Sequence, residues 1–230
     1  MRVERYSESS KAVWDSFVGK SKNGTFILFR DYMGYHGDRF RDHSLLVRED
    51  RGKLVAILPA NETGDVLVSH GGLTYGGFVT DETMNTPVML AVFEAVLLHL
   101  QQQSFRRILY KTIPYIYHRF PAEEDRYALF LCDASLIRRG VLTVIGRNAR
   151  LPFQERRNRG VKKARRNGLV VRQSNNLASY WEILTARLLK SHNALPVHSL
   201  SEIELLRTRF PENIKLFACF EGSQMLGGVL

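Results

Sequence analysis

The sequence predicts an α/β protein in which helices pack on the faces of a mixed sheet. Apolar residues recur with helical spacing and in short runs, in the order α-α-β-β-β-α-β-α-β. The apolar fraction of 44% and the charged fraction of 24% match an ordinary globular protein. A weak internal repeat restarts the pattern after a strongly basic helix. The 230 residues allow one large domain or two small ones.

Composition argues against secretion and against membrane insertion. The N-terminus is polar and charged, without the apolar core of a signal peptide. The most apolar stretch, residues 88–100, contains Glu94 and is too short to span a bilayer. Cys132 and Cys219 are far apart and lack metal-ligand spacing. We therefore expect reduced cysteines, a cytoplasmic location and no bound metal.

The first half of the chain begins with helices and continues with strands. A helix is predicted over 9–19, and a shorter one from Asp31 towards Phe40. Strands are predicted over 43–47, 53–60 and 65–73, with turns at Arg51-Gly52 and Gly64-Asp65.

A helix with clear capping signals follows these strands. Asn85 or Thr86 can cap it, Pro87 fits its first turn, and its apolar face runs to Leu100. A strand over 106–113, a partly helical segment over 115–131 and a strand region over 135–146 complete this half.

The second half starts with a basic helix over 154–168, ended by Asn167-Gly168. The remaining elements are a strand over 169–173, helices over 177–191 and 199–209, and strands over 214–220 and 224–230. Ser199 and Glu202 have the spacing of a capping box at the start of their helix.

The two halves repeat a weak pattern. Trp14 opens an aromatic helix that is followed by Arg39-Phe40, and Trp181 opens another that is followed by Arg209-Phe210. We therefore predict a complete first domain over 1–152, and a basic helix with an incomplete second domain over 153–230. The second copy ends early, so we expect the sequence to be a fragment of a longer protein.

The positive charge is concentrated in the second half. Residues 151–230 contain 13 Lys and Arg against 6 Asp and Glu, whereas residues 1–150 contain 20 against 17. Arg159, Lys162, Lys163 and Arg166 share one face of the basic helix, with Arg156 near its start. This pattern predicts binding of phosphates or nucleic acid, and a solvated face without a ligand is the alternative.

The segment 69–77 is the first candidate site. Its glycines, among them Gly71 and Gly72, allow a close approach of the backbone to a ligand, and Thr74 adds a hydroxyl. His70 and Tyr75 can exchange protons, so we predict catalytic roles for both. The alternative is a strand end with a β-bulge and a glycine turn.

The second candidate site is the segment 117–127. It places His118 close to several carboxylates, and we predict catalytic roles for His118 and Glu123. The predicted substrate-binding residues in and beside it are Lys111, Tyr117, Arg119, Glu124 and Tyr127. The alternative is a solvated helix start, in which Pro121 fits the first turn and the acids favour the positive helix end.

Three segments of the first half resemble one protein family. Residues 14–40, 67–78 and 110–130, together with the basic segment 156–168, resemble the tandem GNAT-like acyltransferases of the FemABX type. The first domain is similar to a bacterial acetyltransferase-like subgroup that is associated with surface-polysaccharide biosynthesis. The resemblance covers nearly the whole chain, and it implies a GNAT-like fold.

The resemblance also implies a reaction, the formation of an amide bond. The donor is acetyl-CoA or another acyl-CoA, with aminoacyl-tRNA as the alternative, and the acceptor is an amino-sugar or a peptidoglycan-type precursor. In the first domain, Asp81 and Glu82 stand where this family's pyrophosphate loop has glycines. Donor binding by that domain is therefore not expected, and the chain alone is expected to be inactive. A non-catalytic tRNA-binding module is the alternative function.

Overall fold

The structure, a computed structural model, describes residues 1–146, 148 and 150–230. The chain forms two compact units, Met1–Leu142 and Thr143–Leu230. The assignment of domains to 1–152 and 153–230 stays a prediction. In the described part of the chain, no helix combines the length and the apolar character needed to cross a membrane.

The helices of the first unit are α1 (Lys11–Lys20), α2 (Arg30–Met33), α3 (Thr86–Gln102) and α4 (Glu124–Leu131). The first and third begin and end close to their predicted bounds. The second ends at Met33 instead of near Phe40, and the fourth forms only the last part of the predicted segment 115–131. Asn85 is the N-cap of α3, and its side chain accepts a hydrogen bond from the Val88 amide. The local capping signal therefore placed this helix correctly.

The strands of the first unit form two four-stranded sheets. The strands are β1 (Arg2–Arg5), β2 (Arg41–Asp42), β3 (Leu45–Arg48), β4 (Leu54–Leu58), β5 (Asn61–Thr63), β6 (Val66–Val68), β7 (Val79–Thr80) and β8 (Arg107–Leu109). One sheet has the order β1-β3-β4-β7 with antiparallel neighbours. The other has the order β2-β5-β6-β8, in which β6 and β8 are parallel.

Helices cover both faces of the first sheet, which explains why β3 and β4 are apolar without alternation. Leu46 belongs to a buried cluster with Trp14 and Leu28. Leu45 belongs to a different cluster, with Val92 and Val96 of α3. Because side chains alternate between the faces of a strand, neighbouring leucines of β3 enter two separate cores.

The parallel pair β6 and β8 is joined through α3. Val66 pairs with Arg107 and Val68 with Leu109, so the two strands end at the same edge. The predicted site segment 69–77 starts where β6 ends, and Lys111 follows β8. Residues far apart in sequence therefore meet at one end of the sheet.

The second unit contains three helices and three strands among its described residues. They are α5 (Glu155–Arg166), β9 (Leu169–Ser174), α6 (Leu177–His192), α7 (Leu200–Arg209), β10 (Leu216–Glu221) and β11 (Gln224–Val229). Ser199 and Glu202 form the predicted capping box, and Gly168 has φ +76° after α5. The strand order is β11-β10-β9, and neighbours are antiparallel.

The two units share a topology. In the first, β1 and β4 flank β3, and α1 and α2 lie between β1 and β3 in sequence. In the second, β9 and β11 flank β10, and α6 and α7 lie between β9 and β10. Identical order and direction are what the predicted repeat requires.

Three strand predictions need correction. The described residues of 135–146 form no strand, and Val141 is fully exposed, because an apolar run becomes a strand only where a partner strand is available. The strand predicted over 65–73 ends at Val68, where the glycines that follow form a loop, and the strand predicted over 106–113 ends at Leu109. The strands β1, β2, β5 and β7 were not predicted, because each is polar or only two residues long.

Candidate functional site

The loop 69–77 is anchored by Ser69, which is fully buried. Its amide donates to the Leu109 carbonyl at 2.9 Å, and its hydroxyl oxygen accepts from the Lys111 amide at 2.6 Å. The Lys111 ammonium donates to the carbonyl of Leu73 on the other side of the loop. The loop is therefore clamped at two points to the segment that follows β8.

His70 is the centre of an aromatic stack. Its ring is nearly parallel to that of His36, with centroids 5.1 Å apart, and its centroid is 5.6 Å from that of Phe40. Its backbone has φ +50°, which is uncommon for a residue other than glycine. The His70 side chain is buried, and its Nδ1 has no hydrogen-bond partner among the described residues.

The glycines of the loop are required by contacts within the protein. A Cβ on Gly72 would lie 2.5 Å from both the His36 Nε2 and a ring carbon of Phe40. A Cβ on Gly76 would lie 2.1 Å from the Ser69 carbonyl oxygen, and Gly77 has φ +86°. Close internal packing therefore accounts for these three glycines without a ligand, as the β-bulge and glycine-turn interpretation proposed.

Burial keeps His70 neutral. Removal from water lowers the pKa of the imidazole from 6.5 to about 3, and neighbouring His36 acts in the same direction. A group with this pKa is a weak acceptor for an ammonium proton at neutral pH. The neutral imidazole of His70 is better suited to form hydrogen bonds than to abstract a proton. The catalytic role predicted for His70 stays a prediction.

We expect His70 to make the protein acid-sensitive. The folded pKa lies below the unfolded one, so the stabilisation is fully present above pH 6.5 and is lost as the pH falls towards 3. Between pH 7 and 4.5, the wild type should lose about 2 kcal/mol more unfolding free energy than the His70→Asn variant. Asn tolerates a positive φ, so the backbone of the variant is not strained.

Urea unfolding at the two pH values measures the difference between the losses. The comparison is unaffected by a constant packing loss in the variant. Equal losses in the two proteins would show that His70 does not carry this acid sensitivity.

Tyr75 and Tyr117 bring the two predicted site segments together. The Tyr75 ring is buried, and its centroid is 5.2 Å from that of Tyr117. The hydroxyl groups of Tyr75 and Thr25 are 2.8 Å apart. Burial raises the pKa of Tyr75 and lowers that of Lys111. The predicted residues Thr74, Gly71 and Gly72 lie in the same loop, and Thr74 is exposed.

The other residues of the second candidate site have separate partners. His118 Nε2 is 3.2 Å from the Ile113 carbonyl oxygen, and burial lowers its pKa. Arg119 donates to the Gly19 carbonyl, and Glu123 pairs with Arg126 at 2.6 Å. Tyr127 stacks on Phe130, at a centroid distance of 6.5 Å, and is half exposed.

Glu124 has a partner that the sequence did not indicate. Its carboxylate forms an ion pair with the ammonium group of Lys22, which is 4% exposed. The neighbouring Asn23 accepts from the Thr80 amide and donates to the Phe78 carbonyl. Lys22 was missed because it lies in the polar run KSKNG, residues 20–24, and its partner is 102 residues away.

The start of α3 does not suit a pyrophosphate. The Asp81 carboxylate accepts from the amide and hydroxyl of Thr83, at 2.9 and 2.7 Å. The cap residue Asn85 already accepts from the Val88 amide. An anion here would meet a carboxylate and an amide that is already bonded. The expectation that the first domain does not bind the donor stays a prediction.

The basic helix α5 is exposed along its length. Every residue from Glu155 to Arg166 is exposed except Ala164, which is half-buried. Arg159, Lys162, Lys163 and Arg166 are spaced to share one face, and Arg156 lies in the first turn. The binding of phosphate by these five residues stays a prediction.

Comparisons with known proteins identify a fold. No protein-family model matches the chain, and no curated protein matches it. Among solved structures, the chain is similar to one described as the crystal structure of FemX, with 12% sequence identity and a TM-score of 0.54. The match covers 95% of this chain and 57% of the FemX chain.

This similarity supports the resemblance drawn from the sequence. At 12% identity it shows the fold alone, and that fold is of the FemABX type. The chain spans less than two thirds of the length of FemX.

Proposed function

We propose that this protein is an N-acyltransferase of the FemABX type that forms an amide on an amino-sugar or a peptidoglycan-type precursor. The observation that carries the proposal is the FemX-like fold, which extends over 95% of the chain. The fold raises the expectation of a transferase, and the argument for the reaction then depends on particular residues.

The proposed reaction needs no protein nucleophile. The amine nitrogen of the acceptor attacks the carbonyl carbon of the donor, so that a C–N bond forms and the bond to the leaving group breaks. The nitrogen loses a proton to solvent or to a base, and the leaving thiolate or ribose oxygen takes one up. Holding the two substrates close together and correctly oriented would supply most of the increase in reaction rate.

The loop 69–77 suits the acceptor better than the donor. Its buried imidazole and the hydroxyl of Tyr75 offer neutral polar atoms, and Lys111 and Tyr117 lie against the same loop. Neutral donors and acceptors of this kind recognise the hydroxyl and amide groups of a sugar or a peptide. We assign acceptor binding to this loop and, as a separate surface, the binding of phosphate groups to α5.

An isotope-transfer experiment tests the reaction. The protein is incubated with labelled acetyl-CoA and either glucosamine or a UDP-linked muramyl pentapeptide, and the amide product is measured by mass spectrometry. In parallel, aminoacyl-tRNA replaces acetyl-CoA as donor. Product with one donor and acceptor supports the proposal. Because this chain alone is expected to be inactive, binding of each donor and acceptor is measured alongside by thermal shift. The absence of both product and a thermal shift with every donor and acceptor contradicts the proposal.

The basic face of α5 supplies a second prediction. The variant Arg159→Ala/Lys163→Ala removes two charges from this face, and Arg157→Ala/Arg165→Ala removes two charges from elsewhere on the same helix. We expect the first variant to weaken the binding of a UDP-linked precursor about tenfold. The slope of log K against log salt concentration should become shallower by about two, one for each charge removed. The second variant should change both much less.

Titration of each variant with precursor and with tRNA, at several salt concentrations, separates the two functions. Equal weakening by the two variants would contradict a defined phosphate-binding face. Strong, salt-dependent tRNA binding without any amide product would favour the alternative, a tRNA-binding module that uses α5.

A further inference from the structure

The first unit contains an apolar cleft between α3, β8 and the end of α4. Its volume is about 390 Å³, which is within the range of small-molecule sites. The floor consists of buried core side chains, namely Leu58, Phe78, Phe93, Val96 and Leu100. These side chains form a concave apolar surface of a size suited to a small molecule.

The cleft lies at the C-terminal end of α3. Leu97 and Gln101 of that helix line it, together with Ile108 of β8. The end of α4 contributes Leu129, and Cys132 follows just after it. The loop 69–77 ends next to the lining residues Phe78 and Tyr110, so the back of the cleft borders that loop, whereas Arg106 and Arg107 line the cleft at the other end of β8.

The inner wall favours a hydrocarbon. The Tyr110 hydroxyl lines the cleft, but it donates to Asp125 at 2.8 Å and accepts from the Phe78 amide at 2.7 Å. A polar ligand group placed against this wall would therefore lose its bonds to water without replacement. An apolar chain gives up no hydrogen bonds on entering the cleft, and its removal from water lowers the free energy.

The edge of the cleft favours an anion. Arg106 and Arg107 both line the cleft and are exposed. The charged group facing them is Asp65, whose carboxylate is 3.9 Å from the guanidinium of Arg106. Two guanidinium groups against one carboxylate leave a net positive edge, which complements a carboxylate head group.

We propose that this cleft binds a medium-chain fatty acid, with the hydrocarbon chain against the α3 and β8 side chains and the carboxylate at Arg106 and Arg107. The site is independent of the proposed transfer reaction, because it requires neither the acyl donor nor the loop 69–77. A competing occupant is the chain itself, since Leu136 and Ile137 follow the lining residue Ala134 and are exposed.

The cysteines provide a local probe of occupancy. Cys132 lines the cleft and is exposed, whereas Cys219 lies in the second unit and serves as an internal control. The rate of alkylation of each thiol by iodoacetamide is followed by peptide mass spectrometry. At dodecanoate concentrations about ten times the dissociation constant, we expect the Cys132 rate to fall about tenfold and the Cys219 rate to stay unchanged.

A matched pair of variants tests the location. Leu97→Trp fills the cleft, whereas Leu98→Trp adds the same side chain to the next position of α3, where Leu98 is 52% exposed and does not line the cleft. We expect the first variant to abolish protection by dodecanoate and the second to retain it. Circular dichroism checks that both fold. Arg107→Gln should weaken the binding of dodecanoate about threefold, which is the effect expected for an exposed ion pair. This variant tests the location of the site if Leu97→Trp fails to fold.

Five results would overturn the proposal. Four of them are the absence of protection, equal protection of both cysteines, equal protection by dodecyltrimethylammonium, and equal behaviour of the two tryptophan variants, and the fifth concerns the segment that follows the cleft. Faster alkylation of Cys132 in Leu136→Ser/Ile137→Ser without any ligand would show that the chain's own segment covers the cleft, and would also overturn it.

Discussion

The Glu124→Gln variant should unfold with a free energy about 3 kcal/mol below that of the wild type, because it leaves the Lys22 ammonium buried without its counter-ion. Lys22 is 4% exposed, and Glu124 is its ion-pair partner. The backbone of Lys22 also donates to the Thr80 carbonyl and accepts from Arg119. These bonds hold the backbone of Lys22 in place within the core. Urea unfolding measures the loss.

The neighbouring residue is the matched control. Glu123 is about half exposed and pairs with Arg126 one turn away, so Glu123→Gln should change the free energy of unfolding by less than about 0.5 kcal/mol. Replacing both partners, in Lys22→Met/Glu124→Gln, should recover much of the loss, because no buried charge remains. A Glu124→Gln variant as stable as Glu123→Gln would contradict the buried pair, and Glu124 would then be available to bind a substrate as the sequence predicted.

The Gly76→Ala variant should also be strongly destabilised. Its Cβ would lie 2.1 Å from the Ser69 carbonyl oxygen, and Ser69 is fully buried, with its amide bonded to Leu109 and its hydroxyl to the Lys111 amide. Because a backbone atom cannot move aside as a flexible side chain can, we expect a loss of about 3 kcal/mol, at the upper end of the cost of overpacking. Thermal and urea unfolding measure it.

Gly71→Ala is the control within the same loop. A Cβ at Gly71 would lie 3.3 Å from atoms of the Asn61 and Phe40 side chains, which can shift by a few tenths of an ångström. We expect a loss of about 1 kcal/mol or less. If Gly76→Ala were as stable as Gly71→Ala, the close packing of the loop on Ser69 would be wrong, and the glycines would again be explained by an approaching ligand.

The structure separates the two interpretations of the loop 69–77, a ligand site and a glycine turn, residue by residue. The sequence offered His70 and Tyr75 as proton-exchanging groups and the glycines as a means of close ligand approach. The structure gives internal causes for Gly72 and Gly76, whereas Tyr75, Tyr117 and Lys111 do meet at the loop. The polar side chains therefore remain the better basis for the proposed acceptor site.

The sequence alone determined the elements whose signals are local. Asn85 caps α3, Ser199 and Glu202 form the capping box of α7, and Gly168 follows α5 with a positive φ. Each signal operates over three or four residues, so it can be recognised without knowing the fold. The mixed α/β class followed from the order of such elements, and the structure confirms it.

Only the tertiary structure decided which residues meet. The pairs Lys22 with Glu124 and His36 with His70 join positions that are distant in sequence, and the apolar cleft is assembled from α3, β8 and α4. The same cause explains why 135–146 is not a strand: pairing needs a partner that the local pattern does not specify. Burial, which sets the protonation of His70 and the cost of an unpaired Lys22, depends on these non-local contacts and so cannot be obtained from local pattern.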